Sequence, residues 1–406
     1  MDVSGIARGC GPAGQAGGVG TLRSMATEQG GPTLARASQE SWPSRDAAGS
    51  ARPGDAPGQV SGDPFAPVRE EITSISERTR HNVTTDIPAL QDAASYFFLP
   101  EARGKGLRPG LVLLMSSALR DMPEPKAYYE VDTSPHNSYT EDIRRRQQRI
   151  GEIAEMIHVA SLLHDDVIDE ADTRRGRKTV NAAFGNKAAI LGGDFLLARA
   201  SVALAALRET RVVGMLSRVI EDLVTGEVMQ LTAQPDDLLS IDYYLQKTHR
   251  KTASLLANAC QAAALLGLHS VDEIKLAYEY GRHLGLAFQI VDDILDFEQQ
   301  EADLGKPNLA DLKSGVATVP VLYALEEHPQ LASMIQGRFK GDGEVEQAVR
   351  LIQDSAGVER ARDLARRHAH AASALITELP PASHGYTMQC RKALFELPRR
   401  VIERTR

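Results

Sequence analysis

Apolar side chains recur every three to four residues from Asp63 onward, and that spacing leaves the chain few ways to fold. It places them on one face of an α-helix. Short alternating runs of Val, Ile and aromatics between turn residues, which would mark strands, are scarce. Helices are expected over about 68–80, 86–99, 108–120, 146–169, 180–208, 211–233, 240–267, 271–299 and 315–327, with shorter ones continuing to 404. Residues 121–145 carry three prolines and little periodicity, and read as a surface insertion between helices rather than a domain boundary. Residues 63–406 are therefore expected to form one large all-α domain, bigger than a four-helix bundle.

Residues 1–62 break the pattern. They are rich in Gly, Ala, Ser and Pro and contain no lysine. Such a segment cannot bury enough apolar surface to offset its ordering entropy, so disorder is expected, with the only tryptophan, Trp42, outside the core. Arg8, Arg23 and Arg36 suit a mitochondrial targeting peptide, whereas Asp2, Glu28 and the many glycines do not.

Several functional classes drop out on composition. A formal net charge of -8, from 54 acidic and 46 basic side chains, argues against a nucleic-acid partner. Cys10, Cys260 and Cys390 are widely separated and form no CxxC pair, so neither a disulfide framework nor a zinc ribbon is available and a reducing compartment fits best. The most apolar stretches are 188–207, cut by Asp194 and Arg199, and 255–268, cut by Asn258 and Gln261. Neither offers the roughly 18–20 uninterrupted apolar residues of a spanning helix, and both are expected as buried core helices.

One short motif occurs twice. DDxxD appears as Asp165-Asp166-Val167-Ile168-Asp169 and as Asp292-Asp293-Ile294-Leu295-Asp296, each closing a long apolar segment. The first and last Asp of each motif lie one helical turn apart and point the same way. Like charges at that spacing repel, and acidic groups two or more turns into a helix oppose its dipole. A solvated acidic face explains this poorly, whereas a shared cation explains it well. Carboxylate oxygens with no His or Cys cluster favour Mg²⁺, which keeps few protein ligands and bridges to phosphate. Basic groups stand where phosphate would need them. Lys105 and Arg108 lie on a Gly-containing bend entering a helix, Arg174-Arg175 follow the first motif, Lys251-Thr252 fall inside a long helix, and Lys306 follows Gly305 after the second motif. A Walker A loop is absent.

These residues, in this order, resemble the trans-polyprenyl diphosphate synthases, the class I isoprenyl chain elongation enzymes. The likeness runs from about Asp63 to the C-terminus and is carried by MIHVASLLHDDVIDEADTRRG, NAAFGNKAAILGGDFLLARA, LQKTHRKTASLL, GLAFQIVDDILDF and LGKPNLADLKSGVATVPVL. It is strongest to the long-chain branch that makes the ubiquinone side chain, fungal mitochondrial members above all. The resemblance implies an isoprenoid-synthase fold, a barrel of antiparallel helices around a deep central cavity, as a homodimer or a heteromer with a related subunit. It implies a mitochondrial location, in the matrix or at the inner-membrane face. It assigns Asp165, Asp169, Asp292 and Asp296 to Mg²⁺ ions bridging the diphosphate of an allylic substrate. Arg174, Lys251 and Lys306 fall to that diphosphate, Lys105, Arg108, His158 and Arg175 to isopentenyl diphosphate, and Thr252 and Gln289 to the developing allylic cation.

The chemistry suits those residue types. Breaking an allylic C–O bond leaves a carbocation and a diphosphate, so cations that stabilise the leaving group lower the barrier. No side-chain nucleophile is needed, and the departing diphosphate can take the proton. The growing tail is expected to run along the helix before Asp165, past the small residues Ala160 and Ser161, where bulky aromatics would stop it early. Long products follow, with C30 and C50 equally open. Two rival readings remain. A non-catalytic prenyltransferase subunit would lack complete Asp motifs, and a terpene cyclase would lack the site that Lys105, Arg108 and Arg175 mark. A greasy product leads to an expectation of peripheral membrane contact.

Overall fold

The computed structural model describes residues 62–98, 106–123, 139–174, 176–298 and 309–404. All but the last residue of the segment 1–62 expected to be disordered, most of the expected insertion, and Lys105, Arg175 and Lys306 lie outside the described residues.

Sixteen α-helices follow one another among the described residues: α1 (Arg69–Asn82), α2 (Pro88–Ser95), α3 (Leu107–Leu119), α4 (Tyr139–Ile168), α5 (Val180–Phe184), α6 (Asn186–Ala206), α7 (Thr210–Thr232), α8 (Ile241–Thr248), α9 (Ser254–Leu266), α10 (Val271–Glu298), α11 (Ala310–Lys313), α12 (Val319–Glu327), α13 (Leu331–Gln336), α14 (Glu344–Gln353), α15 (Gly357–Thr377) and α16 (Gly385–Ile402). A two-residue antiparallel ladder pairs β1 (Thr173–Arg174) with β2 (Arg177–Lys178).

Two helices set the architecture. In α3 every residue from Pro109 to Leu119 is buried, and α9 is buried on nearly all sides. A helix apolar all round belongs in a core. Around this pair, α4, α6 and α7 pack one apolar cluster against α9, while α1, α10, α15 and α16 pack a second against α3 and α9. The link between α9 and α10, residues 267–270, is short and the two helices pack side by side, which makes them antiparallel. The result is the all-α bundle that the sequence predicts.

The boundaries differ where polar chemistry hides the periodicity. Residues 139–145 are helical, so the expected insertion ends by 138. The buried face of α4 there is polar. Arg144 is 2% exposed, donates to both carboxylate oxygens of Glu71 on α1, and is flanked by Gln148, which donates to Glu71, and Gln147, which donates to the Ala263 carbonyl. Paired polar groups can fill a core, but no apolar pattern announces them. The helix expected over 180–208 is two, divided at Gly185 (φ 88°). That expected over 240–267 is interrupted by a π-turn at His249–Ala253, and α12 begins only at Val319.

The two apolar stretches also part company. The helix α9 is core, as expected, but α6 is only half covered. It is long and apolar enough to cross a membrane by length and composition alone, yet its inner face packs on α4 and α2 while Ile190, Leu191 and Val202 stay exposed.

Candidate active site

The two carboxylate motifs sit at the C-terminal ends of α4 and α10. Asp165 lies in the last turn of α4, and Asp169 follows its end, its N–H donating to the Asp165 carbonyl at 2.8 Å. Asp292, Asp293 and Asp296 occupy the last two turns of α10. There the helix dipole adds negative potential to that of the carboxylates. A cavity of about 540 Å³ reaches Asp169 of one motif and Asp293 of the other.

Within each motif the residues divide. The middle aspartates turn inward and are clamped. Asp166, 1% exposed, takes the Arg174 guanidinium at 2.8 Å. Asp293 accepts from the Tyr244 hydroxyl at 2.5 Å and from the Gln289 amide at 2.9 Å. The outer aspartates are left for other work. Asp292 faces Arg404 at 2.7 Å, and Asp296 accepts the backbone N–H groups of Ala310 and Asp311, both at 3.1 Å. The short β1–β2 hairpin folds Arg174 back over Asp166.

Negative charge is in excess here. Burial pushes the Asp165 carboxyl up to about 6, with Lys251 opposing and Glu227 and Asp169 adding to the rise. Burial raises Asp169 as well. Asp293 is raised to about 6 by burial, against the hydrogen bonds from Tyr244 and Gln289. Asp311, on α11, is raised to about 7 by burial and by the charges of Asp293 and Asp296. Asp292 is raised by burial, with Arg404 opposing.

Lys251 and Thr252 ride on the π-turn between α8 and α9, a feature that widens a helix by one residue and recurs at functional sites. Two glycines make room for it. A Cβ at Gly226 of α7 would stand 3.0 Å from the Lys251 backbone nitrogen, and one at Gly285 of α10 would stand 2.6 Å from the Ala253 Cα. The Lys251 ammonium lies 2.5 Å from Glu227. The Thr252 hydroxyl donates to Gln289 Oε1 at 2.9 Å, so Gln289 turns its amide nitrogen to Asp293 and the lone pairs of Thr252 remain for the cavity that both residues line.

The structure thus brings Asp165, Asp169, Arg174, Lys251, Thr252 and Gln289 together, and adds Glu227, Tyr244, Lys247, Asp293 and Asp311, which sequence reasoning passed over, while Asp296 and the Asp292–Arg404 pair do not line the cavity. Lys247 and Asp311 sit inside the quoted segments LQKTHRKTASLL and LGKPNLADLKSG, so their place in the chain was visible. Their convergence was not. Arg108, second residue of α3 after Gly106 (φ 67°), and His158, two turns before Asp165 on α4, are half-buried and do not line this cavity. Ala160 is fully buried in the cluster around α4, whereas Ser161 stays partly open and donates to the His158 carbonyl at 2.9 Å.

A divalent cation fits these residues. The donors are all oxygen, their charges are poorly compensated, and Asp166 Oδ2 is buried without a hydrogen bond. Among the described residues no three His, Cys, Asp or Glu side chains converge on one point, so an ion here draws its other ligands from water or phosphate.

A helical bundle with two such motifs at one cavity is the arrangement of an isoprenoid-chain prenyltransferase. The comparisons agree: the polyprenyl synthetase family matches residues 87–352, and the chain belongs to that family of divalent-metal-dependent enzymes acting on isoprenyl diphosphates. It is a prenyltransferase of the trans-polyprenyl diphosphate synthase type. It is 48% identical over 344 residues to the mitochondrial solanesyl-diphosphate synthase 1 of Oryza sativa subsp. japonica, covering 85% of this chain and 79% of that one. It is 39% identical over 395 residues to a probable mitochondrial hexaprenyl pyrophosphate synthase of Yarrowia lipolytica, covering 85% of each. Among solved structures, the apo form of an Arabidopsis medium/long-chain length prenyl pyrophosphate synthase is 41% identical, with a TM-score of 0.68 over 85% of this chain and all of that one. A Caulobacter crescentus polyprenyl synthase complexed with calcium and isoprenyl diphosphate is 29% identical, with a TM-score of 0.69 over 86% of this chain and 100% of its own.

Proposed function

We infer that this enzyme adds isopentenyl diphosphate units to an allylic diphosphate, farnesyl or geranylgeranyl, and releases an all-trans polyprenyl diphosphate of about C30–C50 for the ubiquinone side chain in the mitochondrion. The observation that carries the reading is the meeting of both carboxylate motifs with Lys251 and Thr252 at one cavity. The relatives named for solanesyl and hexaprenyl products support the length, and their mitochondrial names support the place.

Asp165, Asp169, Asp292 and Asp296 are the carboxylates that would hold the cation, and Mg²⁺ is the ion that suits oxygen donors sharing phosphate. Bound there, the metal supplies Lewis-acid stabilisation of the departing diphosphate. The protein does the rest. Lys251, with Lys306, neutralises the leaving group, and Glu227 fixes the Lys251 ammonium so that it needs no reorganisation. Arg174 braces Asp166 and so orients the first motif. Thr252 and Gln289 present oxygen lone pairs toward the allylic carbon as it becomes cationic. Isopentenyl diphosphate, held by Lys105, Arg108, His158 and Arg175, attacks through its terminal double bond, and the proton lost passes to the released diphosphate.

The tail runs along α4 past Ser161 and Ala160. Replacing Ser161 with Phe is expected to shorten the main product, and an unchanged ladder on product chromatography would remove these residues from the ruler. The exposed apolar row Val224, Val228 and Leu231 on α7, with Ile190, Leu191 and Val202 on α6, is the face that a second copy or a related subunit covers. Peripheral membrane contact is the other use of the same face, and no nucleic acid is involved.

Incubating the purified chain with Mg²⁺, labelled isopentenyl diphosphate and farnesyl diphosphate tests the whole reading. A ladder ending between C30 and C50 is the expected result. No incorporation by a folded helical protein, alone or with a related subunit, would overturn it.

A further inference from the structure

The cavity wall carries two lysines, one helical turn apart, and among the described residues only Lys251 has a carboxylate within 4.0 Å. Its ammonium is already matched by Glu227 at 2.5 Å. Lys247, in the last turn of α8, lines the same cavity. Among the described residues its ammonium has no ion-pair partner within 4.0 Å; it stands 5.5 Å from the centre of the Tyr244 ring. Asp293 and Asp311 act on it only through space, and burial pulls its pKa below the usual lysine range. Asp293 is taken up by Tyr244 and Gln289, and the Asp311 carboxylate stands farther than 4.0 Å from the Lys247 ammonium. A desolvated ammonium without a close counter-charge is costly, and the cost is relieved when an anion enters the cavity.

We propose that Lys247 is a diphosphate-binding residue of this site, the ammonium that meets the allylic diphosphate from the α8 side while Lys251 meets it from the π-turn. The assignment rests on the proposed function for the identity of the substrate, but not for the anion. Lys247 faces Asp293, Asp311 and Asp169 around one cavity, which is the position of the diphosphate that a carboxylate-held cation would share. Its three donors on a flexible stem suit a phosphate oxygen, and a charge-assisted bond in a desolvated site is worth roughly tenfold or more in affinity.

The test uses the full chain with Mg²⁺ and inorganic pyrophosphate, read by titration calorimetry, and separate KM values for farnesyl and isopentenyl diphosphate. Lys247→Gln is expected to weaken pyrophosphate binding about tenfold or more and to raise the farnesyl diphosphate KM by a similar factor, with the isopentenyl diphosphate KM unchanged. Lys247→Arg should restore most of both. Should the Gln variant fold poorly by circular dichroism, Lys247→Met, close in volume and apolar, takes its place. Unaltered pyrophosphate affinity would overturn the proposal, and a shifted Tm alone would make Lys247 a counter-charge for Asp293 and Asp311. A wild-type chain that elongates nothing, while the variants still lose pyrophosphate, would sink the proposed function and leave the lysine's role standing. Normal elongation with unchanged constants in the variants would do the reverse.

Discussion

At the scale of the residue, Asp311 shows what this site costs the fold. An aspartate in an unfolded chain is charged above about pH 4, whereas Asp311 holds its proton up to about 7. The folded state therefore binds the extra proton, and the penalty for charging it is absent below pH 4, grows between pH 4 and 7, and is constant above. Asp311→Asn should stabilise the metal-free protein at pH 8 by on the order of 2 kcal/mol. The gain should fade toward pH 4 in urea titrations at each pH. The buried His283–His368 pair, joined Nδ1 to Nδ1 at 2.8 Å, has the opposite sign. Burial pulls the two down to about 4 and about 3, so stability is lost as pH falls below about 6.5. His368→Asn should flatten that acid limb. The sequence showed the acidic motifs because their spacing is fixed by the helix, it showed Lys251 as a basic group inside a long helix, and it showed Gln289 through the family likeness. It could not show that Asp166 and Asp293 are tied down by Arg174 and Tyr244. Those partners lie on other elements, and burial, which separates a clamped carboxylate from an open one, is written nowhere in the local pattern.

At the scale of the element, periodicity revealed nearly every helix that buries apolar residues and failed where burial is polar. The start of α4 was missed because Arg144, Gln147 and Gln148 face inward against Glu71 and the Ala263 carbonyl. Glu71→Ala leaves the Arg144 guanidinium buried and unpaired, and is expected to cost about 3–5 kcal/mol in denaturant unfolding. The π-turn was missed for a different reason. It differs from an α-helix by one residue per turn, and HRKTA fits either. Its signature lies in the glycines on the helices facing it. Gly285→Ala would drive a methyl group against the Ala253 backbone at 2.6 Å, and should cost about 1–3 kcal/mol by overpacking. It should also lower kcat by displacing Thr252, whereas Gly214→Ala, exposed inside α7 with nothing within 4 Å, should leave kcat unchanged and stabilise the helix by about 0.5–1 kcal/mol.

At the scale of the molecule, the uncovered face of α6 and α7 corrects the expectation that every apolar stretch is core. A single chain cannot distinguish a helix that faces its own interior from one that faces a neighbour. Val228→Asp places a charge in the middle of that row. It should lower the mass measured by light scattering after size exclusion, while far-UV circular dichroism stays the same. Retained mass with lost binding to anionic vesicles would give the face to a membrane instead.

The pairing of Arg404 with Asp292 also bears on how the protein is made. On a ribosome, or during threading through a translocation pore, Asp292 near the end of α10 emerges about a hundred residues before the arginine that follows α16. At about 5–20 residues per second, Asp292 waits on the order of five to twenty seconds before its counter-charge arrives. Through that interval the growing polypeptide carries helices without a working centre. A message truncated before α16 loses more than Arg404, because Tyr386, Cys390, Leu394 and Leu397 of that helix close the second core cluster.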